Sequence, residues 1–244
     1  MKIKFSLFIF LPLLLHSKFS NAEIKYVEQK LILNNPAKLS YLLRPYIKEL
    51  PHNSYLPGFA IYDDKDQSLQ KTREELLVLL ELYAQSQSGD DARSIRDLIR
   101  VIHGWELRKR INVFADFDAV RINGFLNPQL PAGEYTLRFP LQLETAFLVT
   151  LLNEKEVNVK LPGKEISDVI LKSPPKDFLE ESYVWIINLD GSIDKLGIAY
   201  WNQRRAQLMP GMIIYSPLKE SIFSTLPQQI NRLMLELLAN RIIK

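Results

Sequence analysis

Asp116-Phe117-Asp118 sets two carboxylates one residue apart, the pattern with which sugar-nucleotide transferases hold a divalent cation. A hard cation needs several oxygen ligands, and two do not complete a site. Asp118 is therefore read as opening a turn before Ala119-Val120-Arg121, and no metal is assigned. His52 and His103 sit in unrelated contexts. Neither a His-Glu-x-x-His helix nor a Gly-x-Ser-x-Gly elbow occurs, which sets aside the familiar zinc and serine hydrolases. The chain has 0 Cys, which removes thiol catalysis, thiolate-bound zinc and iron–sulfur clusters. A glycosidase needs only two carboxylates at the right separation, and the 28 acidic residues leave that chemistry open. Tyr200 and Trp201 could stack on the C–H face of a sugar if exposed; tryptophan's usual burial favours a core place for Trp201. Asn202, beside them, is read as satisfying backbone groups of a turn.

These groups must be placed by a chain of 244 residues, 47% apolar and 24% charged, the composition of an ordinary globular protein. Its start has a separate purpose. Met1-Lys2-Ile3-Lys4 is positive, an apolar run follows over 5–15, and Ser20-Asn21-Ala22 offers small residues at the −3 and −1 positions. The run is shorter than the roughly 20 residues of a spanning helix, so residues 1–22 are expected to be a signal peptide cleaved after Ala22. In a Gram-negative source the product would be periplasmic, away from ATP and sugar nucleotides. The formal charge of +3 then disappears, because Lys2, Lys4 and Lys18 leave with the leader and 28 basic residues face 28 acidic ones. A nucleic-acid binder would carry a basic excess; none is expected here.

Along the mature chain, 23–61 reads as extended, with a short helix over 39–50 interrupted by Pro45. Thr72 and Glu75 have capping-box spacing ahead of a helix whose stripe is Leu76, Leu79, Leu80 and Tyr83. A second helix, about 91–103, carries Ile95, Leu98, Ile99 and Ile102 on one side. Strands are expected at 107–114, 119–122, 134–139, 143–152, 157–161, 183–188, 193–200 and 212–215, with a short helix at 166–171. Asn123-Gly124, Asp190-Gly191 and Pro210-Gly211 are turn signals. The tail places Leu226, Ile230, Leu233, Met234, Leu237 and Leu238 on one helical face, with Arg232, Glu236 and Asn240 facing away and Thr225 with Gln228 at its start.

Val184 to Gly191, then Ile198-Ala199-Tyr200-Trp201-Asn202, then Leu208 to Tyr215 with Pro210-Gly211, followed by the amphipathic helix, resemble the GfcC family of capsule and exopolysaccharide proteins. Leu107 to Val113 and Gly133 to Leu137 fit the same layout, so the resemblance spans nearly the whole mature chain. It implies an α+β fold of two β-grasp (SLBB-like) domains: 23–141, with a helical insertion at about 71–103, and 142–220, followed by an amphipathic helix at 224–244. It also implies likeness to domains of Wza, the outer-membrane polysaccharide export channel. The family's characteristic arginine matches Arg110, although Lys109 stands where a glycine is usual and Arg108 is the alternative match. A guanidinium is a fixed fork of donors suited to the carboxylate of an acidic sugar, to a phosphate or to a peptide carboxylate. The competing role for Arg110 is an ion pair with Asp116 or Asp118.

The function expected from the resemblance is that of a periplasmic, non-enzymatic accessory protein without a cofactor. It would contact a surface polysaccharide, a Wza-like export protein, or both. Arg110, Trp201 and Tyr200 are the ligand-binding candidates, and Asn202, Pro210 and Gly211 the structural motif. The alternatives are a carboxylate-pair enzyme acting on polysaccharide and an adaptor docking through the helix at 226–242.

Overall fold

The computed structural model describes residues 26–52, 54–113, 117–141, 144–151, 153–159, 165–170 and 176–242. The expected leader, Asp116 and the turns at 162–163 and 173–175 lie outside the described residues. In chain order the first part contains β1 (Tyr26–Leu33), β2 (Ala37–Lys38), α1 (Leu39–Ile47), β3 (Ala60–Asp63), α2 (Ser68–Gln85) and α3 (Gly89–His103). It continues with β4 (Lys109–Ile111), α4 (Phe117–Ile122), β5 (Gln129–Leu130) and β6 (Gly133–Pro140). The second contains β7 (Thr145–Val149), β8 (Glu154–Asn158), α5 (Ile166–Ile170), β9 (Tyr183–Ile187), β10 (Ile193–Gly197), β11 (Ile213–Tyr215) and α6 (Leu226–Ala239).

The first sheet has the order β1-β6-β3-β4 and is antiparallel throughout; β2 and β5 form a separate two-stranded ribbon. Strand alternation sends Ile61, Leu137 and Phe139 to one face, where Leu39 and Leu43 of α1 complete a core. The other face presents Tyr62, Arg110 and Arg138. The second sheet has the order β10-β9-β11-β7-β8. Its central pair, β11 with β7, is parallel, and every other pair is antiparallel. One face packs Val184, Ile186 and Ile214 against Ile166 and Val169 of α5. The opposite face packs Phe147, Val149, Ile187, Ile213 and Tyr215 against α6.

The helical pair arises within the first part of the sequence but packs on the second. Leu76, Leu80, Ile95, Leu98 and Ile102 share one core with Ile230, Leu233, Met234, Leu237 and Leu238 of α6 and with the second sheet. Each such aliphatic side chain contributes about 1.5–3 kcal/mol on burial, so α2 and α3 hold the second unit together. The β4 strand that follows returns the chain to the first sheet.

Several local expectations change. Helix α2 begins one turn before the Thr72–Glu75 signal, at Ser68, whose N–H donates to Asp66 Oδ1 at 2.7 Å. Hydrogen bonds from Ser68 hold the Asp66 carboxyl below its ordinary range. Residues 119–122, expected as a strand, belong to helix α4, closed by Asn123 N–H donating to the Ala119 carbonyl at 2.8 Å. Four residues cannot display a period, so apolar content alone misassigned them. Strand β10 stops at Gly197, which leaves Tyr200 in the following turn rather than in a strand. Pro45 is accommodated within α1. Thr225 makes no side-chain cap on α6; Gln228 Nε2 donates instead to the Ser221 carbonyl at 3.0 Å.

Candidate functional site

Arg110 stands where the two units meet. It faces Tyr62 across the β3–β4 pair, on the sheet face turned toward the second unit. Its Nη2 donates to Tyr62 Oη at 3.2 Å, and the guanidinium carbon lies 5.6 Å from that ring's centroid. Nη1 donates to the Leu189 carbonyl, in the β9–β10 turn. The stem of the side chain packs on Gly191 of the same turn, whose φ of +85° only glycine adopts freely. A β-carbon at Gly191 would sit 2.6 Å from Arg110 Cδ. The Asp190-Gly191 signal thus makes both a tight hairpin and room for an arginine from another unit.

Main-chain contacts fix the strand beneath it. Asn240 Oδ1, at the end of α6, accepts the Arg110 N–H at 2.8 Å, while its Nδ2 donates to the Glu236 carbonyl at 2.8 Å. Asn240 was expected on the outward face; it is buried because β4 supplies a partner that only tertiary structure brings. Of the two ion-pair partners considered for Arg110, Asp116 lies outside the described residues. Among the described residues no carboxylate lies within salt-bridge distance of its guanidinium, and Asp118 pairs with Arg121 at 3.3 Å. Arg108, by contrast, donates to Glu106 at 2.7 Å and lies 3.9 Å from Glu28. Each arginine has one covered, unbonded nitrogen, Nη1 of Arg108 and Nε of Arg110, but of the two only Arg110 lines a cavity.

That cavity is an open groove of about 560 Å³. Trp185, Gly191 and Ile193 of the β9–β10 hairpin line it, together with Lys109, Arg110 and Asn112. Its wall is one face of α6, with Gln228, Asn231, Arg232, Leu235, Glu236 and Ala239 at helical spacing. The polar side of α6, expected to face solvent, therefore lines a groove. From Gln228 to Ala239 the wall runs about 16 Å. Buried Asn231 is satisfied by Leu218 N–H at 2.8 Å, Tyr215 Oη–H at 3.0 Å and the Leu218 carbonyl at 2.9 Å, and so serves structure. Gln228 Oε1 is covered and unbonded. Lys195 stands opposite Trp185 in the strand register, with Nζ 5.5 Å from the Trp185 ring centroid and 3.4 Å from that of Tyr183. Burial first, then the nearby Glu220 and Glu180 carboxylates, push the Tyr183 hydroxyl above its ordinary range. The groove thus offers an aromatic side chain, Trp185, and a fixed cationic fork, Arg110.

The other sequence candidates lie elsewhere. Trp201, favoured as a core residue, is 75% exposed, and Tyr200 is 98% exposed. They sit beyond Gly197, which pairs with Tyr183 at the open end of the hairpin, whereas Arg110 is at its tip. The structure does not bring them together. Asn202 does what the sequence suggested: Oδ1 accepts the Ala199 N–H at 3.0 Å and Nδ2 donates to the Ser182 carbonyl at 2.9 Å. Pro210 and Gly211 make the turn into β11, with Gly211 at φ +82° and its N–H donating to the Thr145 carbonyl at 2.6 Å. Trp185 and the α6 wall were missed as site residues. Trp185 gave a faint signal, as an aromatic on an edge-adjacent strand; the wall gave none, since an inward polar face looks like a solvated one.

Two α+β units, clasped by an arginine at the tip of a hairpin and sharing a long C-terminal helix, define a mixed α+β protein with a groove at the junction. Two family models match successive stretches of the chain. Residues 23–139 match the model for the N-terminal part of capsule biosynthesis protein GfcC, and residues 155–243 match the model for its C-terminal part. The chain belongs to the GfcC family of capsule biosynthesis proteins. It is also 30% identical over 191 residues to a protein of Escherichia coli (strain K12) named as uncharacterized protein YjbG, covering 78% of each chain.

Proposed function

We infer that this chain is a non-enzymatic accessory protein of capsule or exopolysaccharide export, carried to the periplasm by its leader, and that the groove at Arg110 holds an acidic sugar of the polymer. The observation that carries this reading is Arg110 itself: a permanently charged fork seated by Tyr62 and the Leu189 carbonyl, lining a groove that Trp185 also lines. Arginine is suited to a carboxylate or phosphate through paired N–H donors. Membership of a capsule biosynthesis family supplies the class of polymer. The strand order of the second sheet, with its parallel central pair and α5 crossing between β8 and β9, supports a β-grasp unit of the SLBB kind there.

Two carboxylates, Glu220 and Glu236, also line the groove, so cleavage of the sugar is followed in the test. An adaptor role through α6 has less support, because Ile230, Leu233, Met234, Leu237 and Leu238 are already buried within the fold. The test is calorimetric titration of residues 23–244 with oligosaccharides from the source organism's acidic surface polysaccharide, with product analysis. Saturable binding that Arg110→Ala weakens at least tenfold is expected. Equal binding by the variant, or shortening of the sugar, would overturn the reading.

A further inference from the structure

Beyond the groove, the turn after β10 presents two adjacent exposed aromatic side chains, and presents them rigidly. Ile198 N–H donates to the Ser182 carbonyl at 3.0 Å, Asn202 N–H to the Ala199 carbonyl at 3.0 Å and Arg204 N–H to the Gly197 carbonyl at 3.1 Å. The Asn202 side chain ties the same loop to Ala199 and Ser182. Gly197 has no space for a β-carbon, which would run into the Asn202 carbonyl oxygen. A turn pinned by this many bonds cannot fold its aromatics inward. Tyr200 and Trp201 are held in water, where each forgoes the gain of burial.

Their immediate neighbours are polar and positive. Arg204 and Arg205 are exposed; Arg205 Nε is 3.9 Å from Glu165, and among the described residues Arg204 faces no carboxylate within salt-bridge distance. Two exposed rings and two exposed guanidinium groups carried by one turn fit a ligand with apolar C–H faces, many hydroxyls and a negative charge. We propose that the Tyr200–Arg205 turn is a second binding platform for an acidic saccharide, stacked on Trp201 and Tyr200 and paired with Arg204 or Arg205. This rests on the reading of the Arg110 groove as a glycan site. The two sites stand at opposite ends of β10, whose five residues span about 17 Å. One polymer chain long enough to reach both is then gripped twice, and its second contact forms at the high effective concentration of a tethered ligand.

The test compares disaccharide repeats with long chains of the source organism's acidic polysaccharide, binding to residues 23–244. Tryptophan fluorescence and acrylamide quenching are read alongside calorimetry. The unaltered protein should bind long chains at least about tenfold more tightly per site than short ones. The pair Tyr200→Ala with Trp201→Ala should abolish that length advantage and leave short-fragment binding at the groove intact. Arg110→Ala should leave long chains still shielding Trp201 from acrylamide. Phe223→Ser, which alters a separate side chain 93% exposed, should change nothing. Length dependence that survives the aromatic double variant would overturn the platform while the groove reading stands. Loss of all binding in Arg110→Ala with no shielding of Trp201 would do the same. No binding of either length by the unaltered protein would overturn both. Should the aromatic variant lose binding only to vesicles of phosphatidylethanolamine and phosphatidylglycerol, the platform is for lipid and the proposal fails.

Discussion

Replacing Gly191 with alanine should dislodge Arg110 from the hairpin tip. Two costs arise. Gly191 has φ +85°, where an alanine is strained by about 1 kcal/mol. The new β-carbon would also lie 2.6 Å from Arg110 Cδ and 3.1 Å from Nη1. The arginine yields more easily than the backbone, so it swings away and gives up its bonds to the Leu189 carbonyl and Tyr62 Oη. Hydrogen bonds from a charged donor contribute about 1.5–3 kcal/mol net. Partial loss of the pair puts the whole cost of Gly191→Ala near 3–4 kcal/mol. In an Arg110→Ala background the steric conflict is absent, and only the backbone strain of about 1 kcal/mol remains. The double-mutant cycle should therefore show a coupling of about 2–3 kcal/mol, as expected for groups in direct contact. Urea unfolding of the four proteins, followed by tryptophan emission, measures it. Equal cost of Gly191→Ala in both backgrounds would refute the claim that this glycine exists to seat the arginine.

Other outcomes follow from the same contacts. Asn240→Ala removes the acceptor of Arg110 N–H and the donor to the Glu236 carbonyl, and should cost about 2–3 kcal/mol in urea unfolding, with weaker sugar binding at the groove. Gly197→Ala pushes Asn202, and with it the 198–205 turn, away from the end of β10; acrylamide quenching of Trp201 should change while the Arg110 groove keeps its affinity. The depressed carboxyl of Asp66 stabilises the start of α2 only while ionised. That contribution is present above its ordinary pKa of 3.8 and fades as the pH falls below it, so the stability gap between the unaltered protein and Asp66→Asn should close under acid.

Much of the local structure was legible in the residues. Asp190-Gly191 and Pro210-Gly211 demanded turns, and both glycines adopt positive φ there. The stripe from Leu226 to Leu238 gave a helix with the buried face expected. Asn202 was identified as a backbone-bonding residue and is one. Where the signal failed, it was short or two-sided. The four residues 119–122 had too few positions to show a period. The capping-box pattern at Thr72 competed with the stronger contact from Asp66 one turn earlier.

The chain's own residues determined that it would form α+β units with a helical pair and a terminal helix, because turn chemistry and hydrophobic period act over a few neighbours. They also marked Arg110 through the family pattern. Only the tertiary structure decided which unit the helical pair would serve. The stripes of α2 and α3 specify a buried face but not the partner that buries it, and that partner is α6 and the second sheet. The same holds for exposure. Trp201 could have been core or surface on composition alone, and bonds from Ile198 N–H and Asn202 Nδ2 to the distant Ser182 carbonyl hold its turn with the ring outward. The groove was invisible for the same reason: Arg110, Gly191, Gln228 and Asn240 become neighbours only when the two units close on one another. A polar helix face looks the same in sequence whether it meets bulk water or a cavity.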